Sequence, residues 1–285
     1  MKVLINLLKF VSITVLTICM VALGFISIAS STVLDKNYII QKLEETDFYS
    51  ETYKLVESNF ENYIYQSGLD EEVLENICTE EKVKKDINIM LSNIYDGTEQ
   101  KIDTTEIADN LNQNIEQSGI KNSQNENAIK QFVEHICDEY TNTLVHTKYE
   151  TQINDMYQKV IENLNEIYRV ILTIFVLDII VILVINKKAI SKDIQYFGIA
   201  LFATAFFELS IWQIINSKID INGIKIFNEV FSKSIVTIIQ EIVNQIASLA
   251  LGIMVIGIIF ISIYVTRVIM KVSKNKDEKN KTKEI

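Results

Sequence analysis

Four stretches of this chain are too apolar and too free of charge to face water, and they limit the fold more than any other feature. Residues 10–34 contain no charged side chain. As a helix they would reach about 37 Å, enough to cross a hydrocarbon core of about 30 Å with tilt. Residues 170–186 form a shorter run with Asp178 at its centre. Residues 194–215 are interrupted only by Glu208 and carry Trp212 near one end, where interfacial aromatics are favoured. Residues 246–266 are again free of charge.

The turn residues say what these runs become. There is no proline and there are 8 glycines in 285 residues. Average usage would supply roughly 14 and 20. β-Meanders and barrels need those residues at their turns. The expected fold is therefore an all-α integral membrane protein with four transmembrane helices. A cleaved signal peptide, with Ser27 and Ala29 as the small-residue site, is the rival reading of the first run. Signal cores are only about 7–15 residues long, which favours an uncleaved anchor. A lipoprotein signal ending at Cys19 is disfavoured by the bulky Ile18 before it.

Basic residues orient the chain. Segments 1–9, 187–193 and 267–285 hold twelve lysines and arginines, among them Lys187, Lys188, Lys192, Arg267, Lys271 and Lys274. Segment 216–245 holds three: Lys218, Lys225 and Lys233. Short basic segments stay on the cytoplasmic side. The expected layout is then a plasma-membrane protein with cytoplasmic termini (1–9 and a basic tail at 267–285) and a cytoplasmic loop at 187–193. Spans lie at 10–34, 170–186, 194–215 and 246–266. An acidic helical extracytoplasmic domain with a stalk fills 35–169, and an outer loop with an amphipathic helix fills 216–245. Residues 35–167 carry 28 acidic against 11 basic side chains. Long loops translocate largely regardless of charge, so that acidity is compatible with an outer location. A formal charge of −10 excludes a nucleic-acid surface. The Ile-, Lys- and Asn-rich usage fits a low-GC bacterium.

Helical punctuation runs through the acidic segment. Thr52, Val56, Phe60 and Tyr63 share a stripe that Gly68 can close. Asp70 caps a short stretch through Cys78. Thr79 opens a helix with Val83, Ile87 and Ile94 on one face, ended at Gly97. Asp103 and Glu106 fit a capping box, followed by Ile107, Leu111 and Ile115, and a stop at Gly119. Ile129, Val133, Ile136, Tyr140 and Leu144 form the next stripe. Ile153, Met156/Tyr157, Val160, Leu164 and Ile167 form another, which feeds directly into the second span as a stalk. A break is expected near His146–Glu150. Asn222-Gly223 predicts a short hairpin across 219–226. The stripe Phe227, Val230, Phe231, Ile235, Ile238 and Ile242 is expected to pack on the outer domain, since it lacks the basic face of a membrane-lying helix. The tail from Lys271 onwards reads as a solvated run without structure.

Few residues carry chemistry. Acids at membrane depth are functional candidates by default, which singles out Asp178 and Glu208 for proton or cation handling. Their different depths argue against a direct pair. Cys78 and Cys137 both lie in the outer segment and permit a disulfide, with two buried thiols as the alternative. His135 and His146 each precede a glutamate by four residues, yet stand about 16 Å apart on a helix, too far to share an ion. Asp220-Ile221-Asn222-Gly223 is only a fragment of a calcium loop. No serine elbow, phosphate loop or zinc motif is present. No enzymatic activity, cofactor or metal is therefore expected.

The function this suggests is a non-enzymatic envelope protein. Its outer helices would bind a protein or wall partner, and the bundle, held by membrane lipids, would anchor or transmit that event. The order of span, large outer domain, two spans, small outer segment and span resembles FtsX-type and MacB-type ABC permeases. That resemblance implies a separate cytoplasmic ATPase whose motion passes through stalk helices. A proton- or cation-coupled transporter using Asp178 and Glu208 is the third expectation.

Overall fold

The computed structural model describes residues 2–67, 69–120, 126–144, 150–186, 190–225 and 229–281. All regular structure among them is helical, with no strand. The order is α1 (Lys2–Ser31), α2 (Lys36–Glu45), α3 (Phe48–Ser67), a 3-10 turn (Glu71–Leu74), α4 (Glu80–Asp96), α5 (Thr105–Gln117), α6 (Glu126–Leu144), α7 (Glu150–Ile185), α8 (Ile190–Lys218), a second 3-10 turn (Ile221–Gly223) and α9 (Glu229–Lys281). Four helical segments are long and apolar enough to cross a membrane: Val3–Ser31, Asn154–Ile185, Ile190–Lys218 and Glu229–Lys274.

The chain divides into two compact units. The spanning unit holds Met1–Ser31, Asn163–Ile224 and Ile238–Ile285; the acidic unit holds Thr32–Glu162 and Lys225–Thr237. The helices α7 and α9 each contribute residues to both.

In the acidic unit, caps act where short polar side chains precede apolar stripes. The Asp35 carboxylate accepts from the Asn37 N–H at the start of α2. Thr79 Oγ1 accepts from the Lys82 N–H at the start of α4, and Gly97 closes that helix at a positive φ of 66°. Asp103 departs from the expected capping box. Its carboxylate accepts from the Thr105 N–H, two residues on, so the first turn of α5 is closed by an Asx turn instead. The Thr105 hydroxyl, together with this N–H, holds the Asp103 carboxyl below the usual range. Asp47, with φ 54°, separates α2 from α3, which therefore starts at Phe48, one turn before the Thr52 stripe. Gly68 and the break expected near His146 lie outside the described residues.

The core of this unit is the set of stripes read from the sequence. Ile107, Leu111 and Ile115 of α5 are fully buried, with Ile136, Tyr140 and Leu144 of α6, Val83 of α4 and Val56 of α3. Burial of each such side chain contributes about 1.5–3 kcal/mol. Polar groups enter as well, among them Asp86, whose carboxylate accepts from the Tyr140 hydroxyl at 2.7 Å and from Lys82 Nζ at 3.0 Å. Lys82 also donates to the Asp103 carbonyl oxygen at 2.8 Å, so this buried charge is compensated on both sides.

The first turns of α9 pack here as well. The Phe231 ring meets Phe48 edge-on at 4.9 Å, and the Ser234 hydroxyl lies 3.0 Å from that of Thr46. Among the described residues of the hairpin expected at 219–226, which end at 225, no strand forms. Asp220 Oδ1 accepts from the Gly223 N–H at 3.1 Å and closes a 3-10 turn instead. A two-stranded ladder this short has too few bonds to compete with that local closure.

Along α7 the less exposed residues are Asn154, Tyr157, Ile161 and Leu164. Tyr157 and Leu164 of the expected stripe lie on this face, whereas Met156, Val160 and Ile167 are exposed, so the helix turns Tyr157 rather than Met156 inward and Ile161 takes the place of Val160. Tyr157 sets this rotation: its hydroxyl donates to the Leu34 carbonyl oxygen and its ring lies 4.7 Å from that of Tyr95.

In the spanning unit, α1 and α8 run in the same direction. The Thr204 hydroxyl reaches Met20 Sδ at 3.7 Å, and one turn on, Glu208 meets Gly24. Leu16, Ile182 and Ala200 form the buried centre with Ile13, Met20 and Phe175 around them. Helices α8 and α9 cross at two glycines. A Cβ on Gly257 would stand 3.1 Å from Phe202 N, and one on Gly198 would stand 3.2 Å from Ile261 N. Small residues permit this close approach where lipid supplies no hydrophobic drive between helices. Outward residues such as Leu177, Val184, Phe206, Phe207 and Val255 are exposed and apolar, the surface a bilayer would cover. The basic tail does not lose its structure at Lys271: α9 continues to Lys281, with no glycine or proline after Gly257 to stop it.

Candidate functional site

Glu208 is the most unusual group in the spanning unit. It lies in the middle of α8, is 1% exposed, and neither carboxyl oxygen has a hydrogen-bond partner among the described residues. Its room comes from α1, where a Cβ built on Gly24 would stand 2.6 Å from Glu208 Oε1 and 3.1 Å from Leu249 Cδ2 of α9. Three helices thus meet around one carboxyl group. One turn further along α8, the Trp212 indole N–H is also buried without a partner. Burying an unmatched acceptor costs about 1–3 kcal/mol, so nothing in the packing alone rewards an acid at this position.

Asp178 of α7 is 9% exposed. It stands beside Ser12 and Cys19 of α1, and its Oδ2 has no partner. Glu208 faces α1 at Gly24, a different depth, so the structure does not pair the two acids. Where α7 gives way to α8, the Asn186 amide donates to the buried Asp193 carboxylate at 2.7 Å. Of the basic residues used to orient the chain, Lys192, Arg267, Lys271 and Lys274 are exposed, whereas Lys187 and Lys188 lie outside the described residues.

The disulfide that Cys78 and Cys137 permit is not formed: both are free thiols, as is Cys19. Cys78 Sγ lies 3.7 Å from the Thr79 carbonyl oxygen and Cys137 Sγ 3.9 Å from that of Thr104, so the two are engaged separately. Burial pushes the Cys78 thiol up to about 11, and pushes Cys137 up as well. Neither is therefore a ready nucleophile at neutral pH.

His135 is exposed, and the glutamate one turn on is already engaged. Glu139 accepts from the Asn59 amide at 3.1 Å and from the Tyr63 hydroxyl at 3.2 Å. His146 lies outside the described residues. Among the described residues no cluster of His, Cys, Asp or Glu is arranged to hold a metal ion.

Two concave features were not legible from spacing. In the acidic unit, a groove of about 480 Å³ is lined by Glu57, Glu61, Glu71, Glu72 and Glu75, with Phe60 and Ile77 beneath. In the spanning unit, a polar pocket of about 450 Å³ lies where α8 ends, between Asn216–Asn222 and two residues of α9, Gln240 and Asn244. Each brings together residues from separate helices and turns, so the spacing within any one helix does not reveal it.

Comparison with protein-family models, with curated proteins and with solved structures found no match.

Proposed function

We propose that this chain is a non-enzymatic plasma-membrane protein of the cell envelope, with both termini cytoplasmic. Its acidic helical unit binds a protein or envelope partner and passes that event to the spanning helices. One observation carries the reading: α7 and α9 are each continuous helices that contribute residues to both units. A helix without a glycine or proline break carries displacement along its axis, and α7 has neither residue. The glutamate-lined groove supplies a surface of one sign for a cationic segment of the partner.

The test is crosslinking in intact cells followed by purification of the full chain and identification of what is attached. Wild type should retain an envelope partner. The triple substitution Glu57→Lys, Glu61→Lys, Glu72→Lys should lose it while the protein level stays unchanged. Retention of the same partner by that variant would remove the groove from the proposal. A stoichiometric cytoplasmic ATPase would instead favour the permease architecture. Transport is a second reading, supported by the unpartnered Glu208. It requires that Glu208→Gln and Asp178→Asn abolish a gradient-dependent flux.

A further inference from the structure

The polar pocket at the end of α8 has no role in the function just described. Its walls are the last turn of α8 (Asn216, Ser217, Lys218), the 3-10 turn around Asp220, and Gln240 and Asn244 of α9. We propose that this pocket binds a phosphoethanolamine-type group, a phosphate with a nearby ammonium, presented as the headgroup of a membrane lipid.

Position is the first argument. The apolar stretch of α8 ends at Ile215 and that of α9 begins at Ile246. Every lining residue falls just beyond those ends, at the level where headgroups lie if the four helices span the bilayer. Trp212, one turn inward, is of the type that favours this boundary. Ile214 and Ile219 beside the pocket are exposed and apolar, a surface for the acyl chains rather than for water.

Charge is the second. The lining holds one cation, Lys218, and one anion, Asp220. No ion pair engages Lys218 among the described residues, and it is exposed. Asp220 uses Oδ1 to accept from the Gly223 N–H, which leaves Oδ2 open. A net-neutral lining with separated charges matches a zwitterion better than a simple anion or cation.

The hydrogen-bond inventory is the third. Four carboxamides line the pocket, and few of their groups are used. Asn216 Nδ2 donates to the Trp212 carbonyl oxygen at 3.1 Å, and Gln240 Nε2 donates to Asn222 Oδ1 at 2.7 Å. Asn222 Nδ2 remains to donate to phosphate oxygens, and Gln240 Oε1 remains to accept from an ammonium. The side-chain amide of Asn244 offers both. The volume of about 450 Å³ lies within the usual range for small-molecule sites, about 300–1,000 Å³.

Trp212 is the only tryptophan in the chain and stands one turn of α8 from Asn216 of the lining, so its emission serves as the probe. The experiment titrates the full-length protein in mild detergent with phosphatidylethanolamine, phosphatidylglycerol and free phosphoethanolamine, and follows Trp212 emission. The expected result is saturable binding of phosphatidylethanolamine, at least about tenfold tighter than of phosphatidylglycerol. Free phosphoethanolamine should bind far more weakly. The double substitution Lys218→Gln, Asp220→Asn should weaken lipid binding by about tenfold or more, since asparagine keeps the acceptor for Gly223. Asn244→Leu serves as a second variant should the first lower the melting temperature. Equal response to both lipids, or an unchanged response in a folded variant, overturns the proposal. Equally tight binding of free phosphoethanolamine assigns the pocket to a soluble ligand and overturns the lipid source.

Discussion

Replacing Glu208 by methionine should make the protein more stable. The side chain is 1% exposed, and both carboxyl oxygens lack partners among the described residues. An unsatisfied buried acceptor costs about 1–3 kcal/mol, and an apolar residue of similar shape removes that cost. Methionine has nearly the length of glutamate, and the space opposite Gly24 already accommodates a side-chain end. The expected gain is therefore about 1–3 kcal/mol. The neighbouring contact supplies an internal check. A Cβ on Gly24 would stand 2.6 Å from Glu208 Oε1. Gly24→Ala should thus destabilise the wild type but cost much less in a Glu208→Ala background. The double-mutant cycle should show coupling of about 0.5–3 kcal/mol. The assay is reversible unfolding in mixed micelles with increasing sodium dodecyl sulfate, followed by far-ultraviolet circular dichroism. A loss of 1 kcal/mol or more in Glu208→Met would refute the reasoning, because it would mean that the carboxyl makes a net stabilising bond. A gain in stability accompanied by loss of the cellular phenotype would mark Glu208 as retained for function against its cost.

Four further outcomes follow from other parts of the molecule. Denatured, unreduced protein should titrate three thiols per chain, for Cys19, Cys78 and Cys137; a single thiol would contradict the free cysteines. Gly257→Ala should destabilise by about 1–3 kcal/mol through overpacking against Phe202 N, whereas Gly252→Ala, with nothing within 4 Å, should stabilise by up to about 1 kcal/mol through helix propensity; equal effects would refute the crossing geometry. Tyr140→Phe should cost about 1–3 kcal/mol by leaving the Asp86 carboxylate short of one donor, and a neutral result in chemical unfolding would show that water replaces it. Burial raises Cys78 to about 11 and Tyr95 and Tyr49 to about 12. Their folded-state values lie above the unfolded ones, so their contribution is complete below about pH 9 and is lost as pH rises through 11–12; circular dichroism should show alkaline unfolding in that window, and a flat profile to pH 12 would overturn the burial assignment.

The helical content was legible because each signal acts within a few residues. Ile107, Leu111 and Ile115 recur at helical spacing and are buried together. Thr79 and Gly97 bound α4 as their side chains and backbone preferences require. Local reading failed where two local closures compete. Asp220 chose a 3-10 turn over a hairpin, and Asp103 chose the Thr105 N–H over a capping box. It left the α7 stripe open between Met156 and Tyr157, and placed Val160 on a face that the structure exposes. Only the contacts of Tyr157 with Leu34 and Tyr95 decided the rotation.

The candidate sites divide in the same way. Asp178 and Glu208 stand out in the sequence because an acid within an apolar run is costly wherever the chain goes. The contact of Glu208 with Gly24, and the lack of any hydrogen bond to it among the described residues, depend on the parallel packing of α1 and α8, almost two hundred residues apart. The triad of Lys82, Asp86 and Tyr140, the glutamate groove and the polar pocket depend likewise on packing between separate elements. The sequence by itself determined the apolar spans, the helices and their stops, since hydrophobicity and capping are properties of short windows. Tertiary structure alone decided which polar groups meet, which remain unpartnered and where the concavities open, because those are set by distances between segments that no window contains.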